Sequence, residues 1–213
     1  MPQFFYWKST LYLDPDLGWE LRLGQLIITD GFPRLDPFSY TMPKFPMVAH
    51  SWLSDVVFVR IYEVWGIAGV AALTSAALSL VFVVIFGATW HTWTYVPALL
   101  LAGNFLPYAG TRPQTFSWLL FAVLLRLLGR EAAQKKYRFY IPLLFLIWAQ
   151  VHGAFFLGLV TYGLYILTNK SSSRVDYGMF AAACCATLLN PYGISLWREV
   201  ISTFFFTLNA VIC

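Results

Sequence analysis

The chain has 213 residues, of which 59% are apolar and only 11% are charged, and its formal net charge is +4. Soluble globular domains carry about 25% charged residues, so this composition argues against an ordinary soluble domain and predicts an integral membrane protein embedded in a lipid bilayer. The bases cluster in loops and form no basic helix interleaved with exposed aromatic residues, which argues against nucleic acid as a partner.

The first polar segment of the chain, residues 14–55, is strongly acidic. It holds six of the ten acids against three bases: Asp14, Asp16, Glu20, Asp30, Asp36 and Asp55 against Arg22, Arg34 and Lys44. Acids beside a membrane carry a solvation cost, so they indicate a functional site. Within the segment we predict a short interfacial helix from Gly24 to Asp30, stopped by Gly31. The closely spaced prolines that follow predict an ordered extraplasmic loop.

The next residues alternate between apolar runs and short polar turns. Residues 50–65 predict an amphipathic helix, and the uncharged run 66–88 is about 35 Å long as a helix, enough to cross a bilayer core of about 30 Å. Residues 89–93 predict an aromatic turn at the membrane interface. Crossing helices are predicted over 94–109 and 115–129, joined by an outer turn at 110–114.

The apolar run 139–168 has two interpretations. As one helix it would be about 45 Å long, well beyond the thickness of the bilayer core. We favour two short helices broken at His152 and Gly153, because both ends then lie on the side of the basic loops, as the positive-inside tendency requires. Residues 175–189 predict another crossing, followed by a turn at 190–193 and a last helix over 194–213.

Together these elements predict an all-α polytopic membrane protein with about six transmembrane helices. We expect a single membrane domain, residues 1–213, made of an extraplasmic loop (14–55) and transmembrane helices (56–213), and incomplete at both ends. The bases of the loop near 126–138 indicate its cytoplasmic side. Four polar points then converge on the opposite face: the acidic segment, the Arg112 turn, the His152 break and the Asn190 turn.

Asp14 and Asp16 flank Pro15, and an extended backbone there would place both carboxylates on one side. Two such oxygen donors suit a divalent cation, Mg²⁺ or Mn²⁺, especially when a phosphate supplies further ligands. The alternative is that one of them caps a helix starting near Leu17, because aspartate is a preferred N-cap residue. These residues alone leave both interpretations open.

The remaining candidates are polar side chains at the converging turns. Arg112 is either a snorkelling interfacial arginine or a phosphate ligand, because a guanidinium group matches phosphate bidentately. His50 is either a helix cap or a phosphate contact, and His152 is either structural or functional. The candidate substrate-binding residues are Glu20, Arg22, His50, Arg112, Gln114, His152, Asn190 and Tyr192. Of these, Asn190 and Tyr192 also have an ordinary role in turn formation.

The stretch from Asp14 to Arg22, D-P-D-L-G-W-E-L-R, resembles the first-loop motif D-P-D-x-x-Y-H-L-R of oligosaccharyltransferase catalytic subunits. The whole chain resembles a family of bacterial membrane proteins in the GT-C glycosyltransferase superfamily, through D-P-F-S-Y-T, V-A-H-S-W-L-S-D, R-P-Q-T-F-S, Q-V-H-G-A-F-F-L-G and L-N-P-Y-G in order. The sequence departs from the pattern at Glu20, where the motif has histidine, and at Ser51, where an acid is usual.

The resemblance implies a glycosyltransferase of the bacterial inner membrane that uses a polyprenyl-phosphate-linked sugar, with the acidic segment outside the cytoplasm. It implies that Asp16 is the catalytic acid or the metal ligand, with Asp14 beside it, and that Arg112 and His152 hold the leaving phosphate. The two departures favour a different class, a non-catalytic membrane scaffold or accessory subunit with protein partners in a larger complex.

Overall fold

The computed structural model describes residues 2–11, 14–42, 44–87, 94–105, 110–133 and 135–212, and its regular structure there is helical without a β-strand. The described helices are α1 (Pro2–Leu11), α2 (Leu17–Asp30), α3 (Trp52–Phe86), α4 (Tyr95–Phe105), α5 (Gln114–Ala133), a 3₁₀ segment (Lys135–Tyr140), α6 (Ile141–Val151), α7 (Phe155–Thr168), α8 (Arg174–Thr187) and α9 (Ile194–Ile212). The all-α prediction is therefore confirmed. The predicted aromatic turn 89–93 and the end of the predicted crossing helix 94–109 lie outside the described residues.

The longest helix, α3, covers residues 66–86 of the predicted span 66–88, of which position 88 lies outside the described residues. Among the described residues it is the one helix long and apolar enough to cross a membrane, judged by length and composition, and Gln114–Gly129 and Phe155–Thr168 are shorter apolar helices. The backbone of α3 leaves helical geometry at Gly66 (φ 60°, ψ −156°), a left-handed conformation that glycine adopts without steric cost. The amphipathic half predicted from residue 50 and the apolar half thus meet at a kink.

The run 139–168 forms two helices, as favoured from the sequence. His152 interrupts them with an extended backbone (φ −170°, ψ 146°). The rings of Phe145 and Tyr162 stack with centroids 6.5 Å apart, and the Cβ of a residue larger than glycine at position 158 would lie 2.6 Å from the Trp148 ring. Phe145 and Trp148 on α6 thus meet Tyr162 and Gly158 on α7 in reverse order, which makes the pair antiparallel.

The helix in the acidic segment is longer than predicted. It begins at Leu17 instead of Gly24, and it ends as predicted at Gly31, whose φ is 89°. Its buried residues are Leu17, Leu23, Gly24 and Ile27. Pairs of them lie three, four or seven residues apart, so they share one face of the helix. Much of the segment expected to be a loop is therefore a helix that packs on the rest of the protein.

The close contact between α2 and α3 depends on a glycine. A Cβ atom added at Gly24 would lie 2.6 Å from the carbonyl carbon of Asp55 and 2.9 Å from Cγ2 of Val59. Real Cβ atoms do not approach backbone atoms so closely, so the two helices lie nearly backbone to backbone at this point. This contact sets the position of the first turns of α2 relative to those of α3.

The proline-rich segment after α2 is ordered by a short antiparallel bridge between Leu35 and Pro46. The backbone N–H of Asp36 donates to the carbonyl oxygen of Phe45 at 2.8 Å, and that of Met47 donates to Arg34 at 3.0 Å. We call residues 34–47 the bridged loop. The prediction of an ordered loop is confirmed for its described residues, which exclude position 43.

The main core joins α2 to the C-terminal half of the chain. Leu23 and Ile27 share one buried cluster with residues of α5 to α9, including Trp148 and Leu196. Trp148 donates a hydrogen bond from Nε1 to Ser117 Oγ at 2.9 Å, so its one polar atom has a partner inside the core. The acidic segment and the helices therefore pack as one unit.

Many large apolar side chains remain exposed on the outer faces of the helices. Among the described residues these include Val96, Leu99, Leu143, Leu164 and Leu167. Extensive exposed apolar surface indicates contact with a membrane or with another protein.

In the basic loop, Arg138 Nη1 lies 2.9 Å from Asp176 Oδ1. This ion pair connects the 3₁₀ segment to the start of α8.

Candidate active site

A cavity of about 530 Å³ lies where α2, α3, α5, α9 and the break between α6 and α7 meet. Its polar lining comes from residues far apart in sequence: Asp16, Glu20, Asp36, His50, Ser51, Asp55, Arg112, Gln114, His152 and Glu199. Six of the predicted site residues are in this set: Asp16, Glu20, His50, Arg112, Gln114 and His152. Three of the four polar points predicted to converge therefore line one cavity, namely the acidic segment, the Arg112 turn and the His152 break, whereas Asn190 of the fourth is not part of its lining.

Arg112 holds both aspartates of the D-P-D motif. Its Nε contacts Oδ2 of Asp14 in an ion pair, and its Nη2 lies 3.5 Å from Oδ2 of Asp16. The Asp14 side chain is only 8% exposed, whereas that of Asp16 is 63% exposed. The hydrogen bond with Asp14 raises the pKa of Arg112, so its charge is permanent. Asp14 thus fixes the guanidinium group, and Asp16 presents its carboxylate to the cavity.

Neither aspartate caps α2 through its side chain. Asp16 occupies the N-cap position without a side-chain capping hydrogen bond, and Oδ1 of Asp14 accepts the backbone N–H of Asp16 at 3.0 Å. The expectation of an extended backbone is also wrong, because Asp16 has helical dihedral angles (φ −81°, ψ −15°). The turn at Pro15 nevertheless brings both carboxylates to Arg112.

Glu20 lies one helical turn after Asp16 and lines the same cavity. Burial raises the pKa of Glu20 to about 9, and the neighbouring carboxyl groups of Asp55, Asp14 and Asp16 add to the effect while Arg112 opposes it. Since this value lies above neutral pH, Glu20 carries its proton there. Its Oε2 is shielded from solvent and makes no hydrogen bond with any described residue.

The two predicted histidines meet at the bottom of the site. The rings of His50 and His152 are edge to face, with centroids 5.5 Å apart, and Nδ1 of His152 accepts the backbone N–H of Ala154 at 3.1 Å. Burial lowers the pKa of His50, and burial together with His50 lowers the pKa of His152 to about 3. Both rings are therefore neutral at neutral pH. His50 does not cap α3, because Ser51 occupies the N-cap position.

Three acids of the cavity, Asp36, Asp55 and Glu199, were not among the predicted site residues. Asp55 is fully buried, with its carboxyl oxygens 3.1 and 3.2 Å from the Ser51 hydroxyl. Ser51 and Asp55 are four residues apart at the start of a helix, a spacing that could have predicted their contact. Glu199 comes from α9, where no motif distinguishes it.

Three predicted substrate-binding residues lie outside the cavity. Arg22 faces away on α2, where its Nη1 donates to Gln25 Oε1 at 3.2 Å. Asn190 forms its own turn by accepting the backbone N–H of Tyr192 at 2.8 Å. Tyr192 donates its hydroxyl hydrogen to the Pro33 carbonyl at 3.0 Å, so its contacts serve the bridged loop.

The predicted divalent cation does not fit the residues present. Both oxygens of Asp14 are engaged, one by Arg112 and one by the backbone N–H of Asp16. Over the part of the chain that the structure describes, no three acidic, histidine or cysteine side chains gather in a way that could hold a metal ion. The guanidinium group of Arg112 provides the positive charge between the carboxylates of Asp14 and Asp16.

Comparisons of this chain with protein-family models, curated proteins and solved structures returned no match. The resemblance to GT-C glycosyltransferases therefore stays a hypothesis from the sequence motifs. Chemically, the cavity offers the accessible carboxylate of Asp16 as a base, the guanidinium group of Arg112 as an anion ligand, two neutral imidazoles and the protonated carboxyl group of Glu20, with further carboxyl groups from Asp36, Asp55 and Glu199.

Proposed function

We propose that this protein is a membrane glycosyltransferase that transfers a sugar from a polyprenyl-phosphate donor, with its active site at the extraplasmic face. The observation that carries the proposal is that Oδ2 of Asp16 lies 3.5 Å from Nη2 of Arg112. Both residues line a cavity that is also lined by Gln114 and His152. The resemblance implies Asp16 as the catalytic acid and Arg112 and His152 as phosphate ligands, and these three residues come from separate parts of the chain.

In the proposed reaction Asp16 accepts the proton of the acceptor nucleophile. The nucleophile attacks the anomeric carbon of the donor sugar from the side opposite the phosphate, which inverts the configuration. The bond between that carbon and the phosphate oxygen breaks, and its electron pair leaves with the polyprenyl phosphate. Arg112 stabilises the charge that builds on the phosphate, as preorganised cationic groups do in such sites.

Arg112→Gln should raise KM for the polyprenyl-phosphate sugar by about tenfold to hundredfold, because a charge-assisted hydrogen bond to phosphate is lost. The assay is the release of polyprenyl phosphate by purified protein in lipid nanodiscs. Arg60→Gln is the matched control, since Arg60 is an exposed arginine paired only with Glu63 on the surface of α3. Arg112→Gln leaves the carboxylate of Asp14 without its ion-pair partner. The double variant Asp14→Asn, Arg112→Gln removes this unpaired charge. If the wild-type protein releases no polyprenyl phosphate from any polyprenyl-phosphate sugar, the proposed enzymatic activity is refuted.

We further propose that about six helices cross the bacterial inner membrane, with the acidic segment outside and the basic residues near 135–138 inside. The supporting observations are the long apolar α3, the exposed apolar side chains of the shorter helices and the location of the bases away from the cavity. Single cysteines at exposed Tyr40 and at Lys136, in a background without Cys184, Cys185 and Cys213, should differ in reactivity on intact cells. An impermeant thiol reagent should label the first and not the second; the reverse pattern would invert the topology.

A further inference from the structure

The proposed site binds an anion in a cavity lined mainly by acids. Its carboxyl groups belong to Asp16, Glu20, Asp36, Asp55 and Glu199, and its only lining arginine or lysine among the described residues is Arg112. Like charges this close to a phosphate oppose its binding, and they do so more strongly where protein replaces water. A neutral carboxyl group would relieve this repulsion and could also contact the phosphate.

Glu20 has the geometry for this role. Its Oε2 is shielded from solvent and has no hydrogen-bond partner among the described residues. An ionised carboxylate would therefore hold a charged oxygen that neither water nor a protein donor stabilises, which favours the protonated form. Glu20 lines the cavity from α2, together with Asp16 and Arg112.

The negative charges of the neighbouring acids also favour the protonated form of Glu20. Burial, followed by Asp55 of α3 and by Asp14 and Asp16 of the preceding turn, raises its pKa, and Arg112 only partly offsets them. The other titratable groups that line the cavity are Asp36 of the bridged loop, His50, His152 and Glu199. Both histidines have lowered pKa values and stay neutral, so neither supplies a positive charge that would ionise Glu20 at neutral pH.

We propose that the carboxyl group of Glu20 donates a hydrogen bond to the phosphate that Arg112 binds. A protonated carboxyl group is an O–H donor, and hydrogen bonds to charged acceptors are among the stronger ones in proteins. Glu20 is thus a binding residue for the phosphate end of the lipid-linked donor, and no proton leaves it in this interaction. The inference rests on the proposed function, because it takes the ligand of Arg112 to be a phosphate.

The test is binding of farnesyl phosphate to the purified protein in nanodiscs, measured by calorimetry between pH 7.5 and pH 10. Glu20→Leu, which lacks a donor, should bind about tenfold to hundredfold more weakly at pH 7.5. The wild-type protein should lose about tenfold in affinity toward pH 10, because Glu20 loses its donor proton and gains charge as the pH rises through its pKa of about 9. Glu20→Gln keeps an N–H donor and should bind well, and its affinity should fall less steeply toward pH 10 than that of the wild type, because Asp55, whose pKa burial raises to about 8, still ionises in this range but Glu20 no longer does. Glu63→Gln, on the exposed surface of α3, should behave like the wild type.

Wild-type affinity in Glu20→Leu would overturn the inference, as would a wild-type profile no steeper than that of Glu20→Gln. The second comparison decides the question even if Glu20→Leu fails to fold. If Arg112→Gln loses binding while both Glu20 variants match the wild type, the inference fails and the phosphate site stands. If the wild-type protein does not bind farnesyl phosphate at any pH, the inference and the proposed function fail together.

Discussion

Asp16→Asn should lower the rate of sugar transfer by about 10²- to 10⁴-fold, the usual contribution of a positioned general base, and should leave the fold intact. The Asp16 side chain is 63% exposed and forms no helix-capping hydrogen bond, so asparagine retains its size without disturbing α2. The amide cannot accept the proton of the nucleophile. Initial rates of polyprenyl-phosphate release, with thermal unfolding measured on the same samples, separate the chemical effect from a folding effect.

Asp14→Asn is the informative companion to this variant. Asp14 is nearly buried and contacts Arg112 directly, so we expect this substitution to lower the unfolding temperature and to weaken donor binding more than it slows the chemical step. Wild-type turnover by Asp16→Asn would refute the catalytic role of Asp16. The non-catalytic scaffold would then be the better account of the protein.

Gly24→Ala should destabilise the protein by about 1–3 kcal/mol, the usual effect of overpacking, and should displace α2. The added methyl group would lie 2.6 Å from the carbonyl carbon of Asp55, and a backbone atom cannot move aside as the end of a flexible side chain can. The loss should exceed the gain of about 1 kcal/mol in helix propensity that alanine has over glycine. Thermal unfolding of the purified protein, followed by tryptophan fluorescence, measures the effect.

Gly18→Ala provides a control in the same helix, because no atom outside the helix lies within 4 Å of the position that the alanine Cβ would take. There the propensity gain is unopposed, and we expect unchanged or slightly higher stability. Equal unfolding temperatures for Gly24→Ala and wild type would contradict the close packing of α2 on α3. Because α2 carries Glu20 and α3 carries Asp55, the Gly24 variant should also reduce donor binding.

The parts of the fold that could be predicted from sequence are those with a strong local signal. The break at His152 followed from a length argument, since one continuous helix would exceed the bilayer core. The end of α2 followed from Gly31, whose φ of 89° favours glycine. The start of α2 was predicted only as one of two alternatives, a helix near Leu17 capped by an aspartate, because the two aspartates around Pro15 fit a cation site equally well.

The candidate site was only partly predictable for a different reason. Residues within recognisable turns, such as Arg112 and His152, could be assigned to one face once the helices were counted. Asp55 belongs to the acidic segment assigned to that face, but its place in the cavity depends on the rotation of α3, and that of Glu199 depends on the placement of α9; neither follows from hydropathy. Asn190 was taken for a possible ligand because a polar turn at the correct membrane face looks the same in sequence whether it serves structure or binding.

The bridged loop has a consequence for how substrates enter. Arg34 Nη2 donates to the Pro191 carbonyl at 2.7 Å, its guanidinium carbon lies 4.8 Å from the centre of the Tyr192 ring, and the Tyr192 hydroxyl donates to Pro33. Phe45, Pro46 and Met47 of the same loop form one wall of the cavity. The bridged loop cannot move outward by itself, because Arg34 at its start is hydrogen-bonded to Pro191 in the turn before α9. Widening the entrance at this edge must therefore break these contacts or carry α9, with Glu199, along with the loop.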